Sequence, residues 1–295
     1  MTDLVLTIAI PTYNRERYID CQIEWAVRSI AGHWDKVELI VSDNGSQDGT
    51  PEVCERWRQQ TNGQLRVFRQ PRNLGLTLNA LHCIQQAHGR YIWLVSDDDE
   101  IEHHTFEWLL DMISSRSEDD FSFIHLNGLM KDKQGRVTIE SIYNFRRDRQ
   151  EKPGTYLFQE CLRQSITSIG LTCSIYQSQV LKSAIEWWPG IRNNLAFPVF
   201  LAGFCAAHGE MIVRAEPSVA YIDGATSFRS IWPVVDFYLL PEVYIKLLEL
   251  GYQKEFIRSR ILSNLNFARF IVKFPFQFIK SIPLYLKALN ISKGL

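Results

Sequence analysis

The sequence predicts an α/β protein: a largely parallel sheet with helices on both faces. Three observations carry that expectation. Short apolar, β-rich runs alternate three times with segments of helical period before residue 90. Each apolar run ends abruptly in small or polar residues. A fourth run, Tyr91 to Val95, ends in Ser96 and four consecutive carboxylates, Asp97, Asp98, Asp99 and Glu100. Strands joined by helical crossovers point the same way, so all four polar ends fall on one edge of the sheet. That edge, at the carboxyl ends of the strands, is where open α/β sheets bind ligands.

The elements follow in order. Leu4 to Ile10 (LVLTIAI) reads as a buried first strand, with Pro11 marking its end because proline cannot donate to a ladder. Arg17 to Ala31 carries Ile19, Ile23, Ala26 and Ile30 at helical spacing. Val37 to Val41 is the second strand, and Ser42 to Thr50 is a loop dense in turn formers. Pro51 opens a helix that continues to Gln60. Leu65 to Phe68 is a third strand, Pro71 to Gly75 a loop, and Thr77 to Ala87 a helix ended by Gly89. Ile101 to Ile113 is expected to be helical, directly after the acidic run.

Bulk properties exclude several classes. At 295 residues, with 46% hydrophobic and 22% charged residues, the chain is long enough for one large domain with its own core. A net charge of −1, without a binding motif, argues against nucleic acid as partner. Six dispersed cysteines without a CxxC pair fit buried free thiols in a reducing compartment. No basic-then-apolar leader is visible, and no window approaches the length of a spanning helix. Seven of the 32 Lys/Arg and none of the 33 Asp/Glu lie between Phe256 and Leu295, leaving 25 basic against 33 acidic residues in the body.

Four adjacent carboxylates repel one another and are tolerated on a solvated turn or beside a cation. The acidic run therefore reads either as a cap on the next helix or as a metal site. Neither GxGxxG nor GxxxxGK[ST] follows the first strand, so a nucleotide bound here lacks a glycine cradle for its phosphates. A carboxylate-held divalent cation would have to neutralise them instead, and the convergence of three other polar strand ends favours that reading.

Pro11-Thr12-Tyr13-Asn14-Arg15, Ser42-Asp43-Asn44-Gly45-Ser46 with Asp48-Gly49-Thr50, Asn73 and Gly75 with Asn79, and Ser96-Asp97-Asp98-Asp99 resemble glycosyltransferase family 2 in order and spacing, over residues 4–115. The closing WLVSDDDE with SDNGS looks most like the abequosyltransferase-like branch of bacterial O-antigen enzymes. The resemblance implies a GT-A fold: a nucleotide-sugar-binding sheet with flanking helices and a mostly helical C-terminal extension. It further implies that Pro11, Thr12, Tyr13 and Asn14 line the donor site, with Thr12 and Tyr13 beside the base. Asp43 would accept a hydrogen bond from a pyrimidine ring, although an Asx-turn role remains open. Asn73 and Gly75 would shape the wall near the ribose, and Asn79 would support that loop. Asp97, Asp98 and Asp99 would hold Mg²⁺ or Mn²⁺ against the diphosphate, Asp97 and Asp98 also meeting the donor. Ser96 stands where many relatives have the first Asp of the motif. Leu78 stands where many have a basic residue.

The expected division is a donor half at 1–115, an acceptor half of the same domain at 116–235 and a helical, basic and aromatic extension at 236–295. In the acceptor half, Phe121 to Leu126 and Met211 to Arg214 read as strands, and Ala196 to Ala207 as a helix. Ile166 to Tyr176 is expected near the acceptor. Transfer with inversion needs a carboxylate base. The Glu-Asp pair that relatives carry near the position of Ala196 is missing, which leaves Glu186 and Asp223 as candidates. Arg229 is a candidate for holding the diphosphate. The reading is a glycosyltransferase acting on a nucleotide diphosphate sugar and a saccharide acceptor, expected to be lipid-linked, in bacterial surface polysaccharide synthesis. The alternatives are a nucleotidyltransferase or a nucleotide-sugar binding module without catalysis. Basic residues among Phe267, Phe270, Phe274, Phe276, Phe278 and Tyr285 suit an anionic membrane surface, which would place the protein in the cytoplasm against the inner face of the membrane; the alternative is a helical extension packed on the body with a solvated basic face. Pro275 and Pro283 are expected to break the tail into short segments.

Overall fold

The computed structural model describes residues 4–116, 121–165, 169–222, 230–263 and 268–291. Its centre is one mixed ten-stranded sheet. Strands β1 (Leu6–Thr12), β2 (Val37–Asp43), β3 (Leu65–Arg69) and β4 (Tyr91–Leu94) pair in parallel in the order β3-β2-β1-β4. Between them run α1 (Glu16–Ile30), α2 (Thr50–Gln60) and α3 (Leu76–Gln86). The strand-and-helix alternation expected from the sequence is therefore the observed one.

Two boundaries differ at the start. β1 runs through Pro11 to Thr12, in register with Ser42 and Asp43. Its pairing with β4 stops at Ala9, so Pro11 sits where β1 has a neighbour on one side only and its missing donor is tolerated. The helix expected from Ile101 begins instead at Thr105, as α4 (Thr105–Ser114). Glu100–Ile101 form a two-residue strand β5 instead, paired antiparallel with a late strand. The acids do not cap α4, whose N-cap is His104 without a side-chain cap bond.

The second half extends the same sheet. β6 (Phe123–Lys131) turns into β7 (Val137–Ile139), and after β8 (Arg149–Glu151) come α5 (Thr155–Gln164), β9 (Ser174–Gln177) and α6 (Ser178–Trp187). β9 lies antiparallel between β4 and β6, an insertion the apolar segment 166–176 did not announce. The helix α7 (Phe197–Ala207) leads to β10 (Met211–Ile222). The short strand expected at Met211 to Arg214 is a twelve-residue strand, because a register shift between Arg214 and Pro217 absorbs the proline.

The sheet is covered on both sides. Leu6, Ile8 and Ile10 of β1 join α1, α2 and α4 in one core, while Ala9 joins the core of α3, α5, α6 and α7. The second core continues into α8 (Trp232–Val234), a π-helical stretch Val235–Leu239, α9 (Leu240–Glu249) and α10 (Lys254–Leu262). Then come α11 (Ala268–Lys273) and α12 (Pro275–Asn290). Pro275 begins α12 as expected of a breaker, but Pro283 lies inside it. Pro283 is on the exposed side of α12, whereas Ser281 and Ala288 are fully buried, so packing of the inner side holds the helix together. Cys21 is exposed, the other five cysteines are buried, and all six are free.

Candidate functional site

The site is assembled from the tips of β1, β2 and β4. Thr12 ends β1 level with Asp43 at the end of β2. Its hydroxyl donates to Asp97 Oδ2 at 2.6 Å, and its carbonyl accepts from the Asn44 N–H at 2.9 Å. Thr12 thus ties the acidic cluster to the loop after β2. Behind it, Asn79 reaches up from α3: its Nδ2 donates to the Ser42 carbonyl at 2.8 Å, and its Oδ1 accepts the Ser42 hydroxyl at 2.7 Å. Asn79 is buried, so it supports the strand tips from below rather than lining an open surface.

The loop after β2 is a hydrogen-bonded shell. Ser46 N–H donates to Asp43 Oδ1 at 2.9 Å, and the Ser46 hydroxyl accepts from the Asn14 N–H at 2.9 Å. Asn14 adopts φ +53°, a conformation asparagine tolerates, and its Oδ1 accepts from Gln47 N–H at 2.8 Å. Asn73 Oδ1 accepts from Asn44 Nδ2 at 2.9 Å and from Gly75 N–H at 2.8 Å, fixing the third loop to the second. Gly75 has φ +89° with nothing near where a Cβ would sit, so backbone conformation explains the glycine. Tyr13, Asn14, Asn73 and Gly75 are exposed around the mouth, while Pro11 and Thr12 are buried in its floor.

Asp43 is 1% exposed, yet its Oδ2 has no hydrogen-bond partner among the described residues. The only cation beside it there is Arg69, its register partner on β3, whose Nε is 3.3 Å away. That contact is to Oδ2 itself, so the oxygen is ion-paired to Arg69 while accepting no hydrogen bond, which leaves it able to take a donor from outside the chain. A groove of about 610 Å³ opens beside it, lined by Pro51, Cys54, Arg56, Val67 and Arg69.

The acids are held separately. Thr172, just before β9, donates its hydroxyl to Asp99 Oδ2 at 2.5 Å and accepts the Ser96 N–H at 2.9 Å. Ser96 Oγ donates to Asp98 Oδ1 at 2.6 Å. Ser96, the departure from the expected motif, therefore serves as a hydrogen-bond donor to the cluster. Arg15 approaches from the start of α1, its guanidinium 3.5 Å from both Asp97 Oδ1 and Asp98 Oδ2. Burial pushes the Asp97 carboxyl up to about 6 against the pull of the Thr12 hydroxyl. Burial likewise pushes Asp99 up to about 7, with repulsion from Asp98 and Asp97 adding to it.

That electrostatic frustration bears on the metal. Among the described residues no three Asp, Glu, His or Cys side chains converge into a cage. One oxygen each of Asp97, Asp98 and Asp99 lies outside the hydroxyl bonds just described. This donor set fits a hard cation held by one or two carboxylates and completed by a ligand's phosphates, the usual habit of Mg²⁺.

Of the base candidates, Glu186 is exposed on α6, beside Trp187, whose ring stacks on Phe200. None of the described hydrogen bonds or ion pairs joins it to the acidic cluster. Asp223 and Arg229 lie outside the described residues. Arg15 and Thr172 were missed as site residues. Arg15 was visible in the first motif, but only its fold across to Asp97 gives it a role. Thr172 carried no signal, because it is 73 residues from the acid it holds.

Fold and site together place the molecule among α/β proteins with a polar, acidic site at the carboxyl ends of a parallel sheet. The model of the family described as Glycosyl transferase family 2 matches residues 7–183, and the chain belongs to that family. It is 30% identical over 115 residues to abequosyltransferase RfbV of Salmonella typhimurium, covering 39% of this chain and 34% of RfbV. The chain thus spans about a third of that relative's length. The structure of S. aureus TarS 1–349 in complex with UDP-GlcNAc superposes with a TM-score of 0.69 at 17% identity, covering 98% of this chain and 83% of that one. Mannosyltransferase PcManGT from Pyrobaculum calidifontis, in complex with GDP-Man and Mn²⁺, gives 0.58 at 15% identity, covering 98% and 76%. The expected GT-A sheet is the one observed, and RfbV among the relatives agrees with the branch that the motifs resembled.

Proposed function

We propose that this protein transfers a sugar from a nucleotide diphosphate donor to a saccharide acceptor in the synthesis of a bacterial surface polysaccharide. The single observation that carries the reading is the pairing of two half-built subsites on one sheet edge: the buried Asp43 Oδ2, ion-paired to Arg69 but accepting no hydrogen bond, and the carboxylates Asp97 and Asp99, whose burial raises their pKa. The first suits an N–H of a base. The second suits a divalent cation and the diphosphate it neutralises. Thr12 links the two, hydrogen-bonded to Asp97 and in register with Asp43. The TarS and PcManGT complexes, with UDP-GlcNAc and with GDP-Man and Mn²⁺, support this assignment by analogy of fold.

In this mechanism Asp43 accepts from the base, the loop from Ser42 to Thr50 and the Asn73–Gly75 turn wall in the nucleoside, and Asn79 keeps the strand tips level. Asp99 and Asp97, with Asp98 beside them, would hold Mg²⁺ or Mn²⁺, which when bound would supply charge stabilisation for the departing diphosphate. Arg15 neutralises part of the cluster, and Arg229 is assigned to the diphosphate on the family resemblance alone. Displacement proceeds in one step with inversion, with Glu186 or Asp223 as the base. The acceptor is lipid-linked, and the protein works at the inner face of the membrane. The donor half is 1–115, the acceptor half 116–235 and the extension 236–295.

The test is incubation with Mn²⁺ and a panel of nucleotide sugars, reading nucleoside diphosphate release. Metal-dependent release from one donor is expected, and Asp99→Ala should abolish it. Tight donor binding without release to any acceptor would leave a binding module. No binding of any donor, with or without metal, would overturn the proposal.

A further inference from the structure

The C-terminal helices carry a surface that the fold leaves bare. α12 is apolar nearly all round. Its inner side is closed: Ser281 and Ala288 are fully buried, and Tyr285 donates its hydroxyl to the Phe237 carbonyl at 3.3 Å. Its outer side is also apolar. Phe276, Ile279, Leu286 and Leu289 recur at steps of three, seven and three residues, which places them on one side of a helix. They are 77%, 62%, 54% and 47% exposed. On α11, Val272 is 85% exposed and Ile271 42%, while Phe270 between them and the body is buried. A helix with apolar residues on every side is normally covered on every side. Contiguous bare apolar surface of this kind marks an interaction site.

Charge selects the occupant. From Phe256 onward the chain has seven Lys/Arg and no acid. Lys280 and Lys287, two turns apart, border the apolar stripe of α12, and Lys273 ends α11. The described acid facing this group is Glu249 of α9, 3.5 Å from Lys287. We infer that the outward face of α11 and α12 docks on the surface of an anionic lipid bilayer, with the aromatic and aliphatic side chains in the headgroup boundary and the lysines on the phosphates. No helix among the described residues is long and apolar enough to cross a membrane, so α12 lies along the surface. A second copy of the chain fits the same face poorly: a two-fold contact would set the lysines of one copy against those of the other. This inference names the surface by which the proposed enzyme would meet its lipid-linked acceptor. Its evidence is vesicle binding, so failure of sugar transfer and failure of docking are read separately.

The experiment is sedimentation of the full chain with vesicles of phosphatidylcholine alone or with phosphatidylglycerol. Wild type is expected to sediment with the anionic vesicles, and 0.5 M NaCl should release most of it. Phe276→Ser with Ile279→Ser and Leu286→Ser should lower the partition coefficient at least about tenfold. Lys273→Glu with Lys280→Glu should lower it by more than about tenfold, since each cation near such a surface contributes about fivefold. The altered side chains are exposed, so thermal melting of the variants should match wild type. Should the triple variant melt early, Val272→Ser with Phe276→Ser carries the same test on the two barest residues. Absence of binding, equal binding of the variants, or a dimer in light scattering that the triple variant dissolves while vesicles bind neither form, would each overturn the inference.

Discussion

At the residue scale the site is a set of groups whose demands are unmet within the chain. Asp97 and Asp99 hold protons more tightly in the fold than in an unfolded chain, up to about pH 6 and 7. The folded state therefore binds extra protons above about pH 4, and stability falls as pH rises through that window. The melting temperature of metal-free protein should be lower at pH 8 than at pH 5.5, by roughly 2–4 °C for each kcal/mol lost. Mn²⁺ competes with those protons, so it should raise the melting temperature more at pH 8 than at pH 5.5. A scanning-fluorimetry matrix of pH against Mn²⁺ checks both signs; equal Mn²⁺ effects at the two pH values would count against carboxylate ligation. Asn79 makes the opposite kind of contribution. It satisfies Ser42 inside the sheet, and Asn79→Ala should cost about 1–3 kcal/mol in urea unfolding by stranding those partners. Gly45 is a third case. It has φ +75°, and a Cβ there would lie 2.8 Å from the Arg72 backbone. Gly45→Ala should therefore destabilise the protein and misplace the loop that carries Asp43, visible as weakened donor binding in calorimetry.

At the element scale, β9 matters most for the site. It enters the sheet antiparallel between β4 and β6, so its leading residue arrives at the edge where β4 ends. Thr172 lies two residues ahead of it, and Trp93 Nε1 also donates to the Thr172 carbonyl at 2.6 Å. Thr172→Val keeps the shape but removes the hydroxyl shared by Ser96 and Asp99. The expected result is loss of metal-dependent turnover with a stability change near 1 kcal/mol. Turnover equal to wild type would show that the acid needs no such anchor. The elements differed in how plainly the sequence announced them. β1 to β4 are short apolar runs ending in polar clusters, a pattern that follows from burial on both faces. β9 has only four residues, and β5 two, and their partners lie at least 49 and 118 positions away in the chain. Pairing over such distances leaves no local period to read. The helix expected from Ile101 was misplaced for that reason, since backbone pairing with Val219 captured its first residues.

At the scale of the whole molecule, the tips of β1, β2 and β4 in the candidate site were legible because the motifs on their loops are each encoded locally. The part played by the second half was not, because its geometry depends on how the chain threads back through the sheet. Arg15 shows the middle case: its presence was plain, but its approach to Asp97 and Asp98 depends on the turn from β1 into α1. The threading has a consequence for dissection of the protein. Residues 1–115 contain all four sequence motifs and look like an excisable unit. Yet β4 is an interior strand only because β9, from beyond residue 170, lies alongside it. Cut at 115, the fragment would present β4 as a naked hydrophobic edge of Tyr91, Ile92, Trp93 and Leu94, a template for pairing with other copies. Residues before and after 115 thus share one sheet. Point substitution in the intact chain, rather than truncation, is the way to separate donor binding from acceptor chemistry.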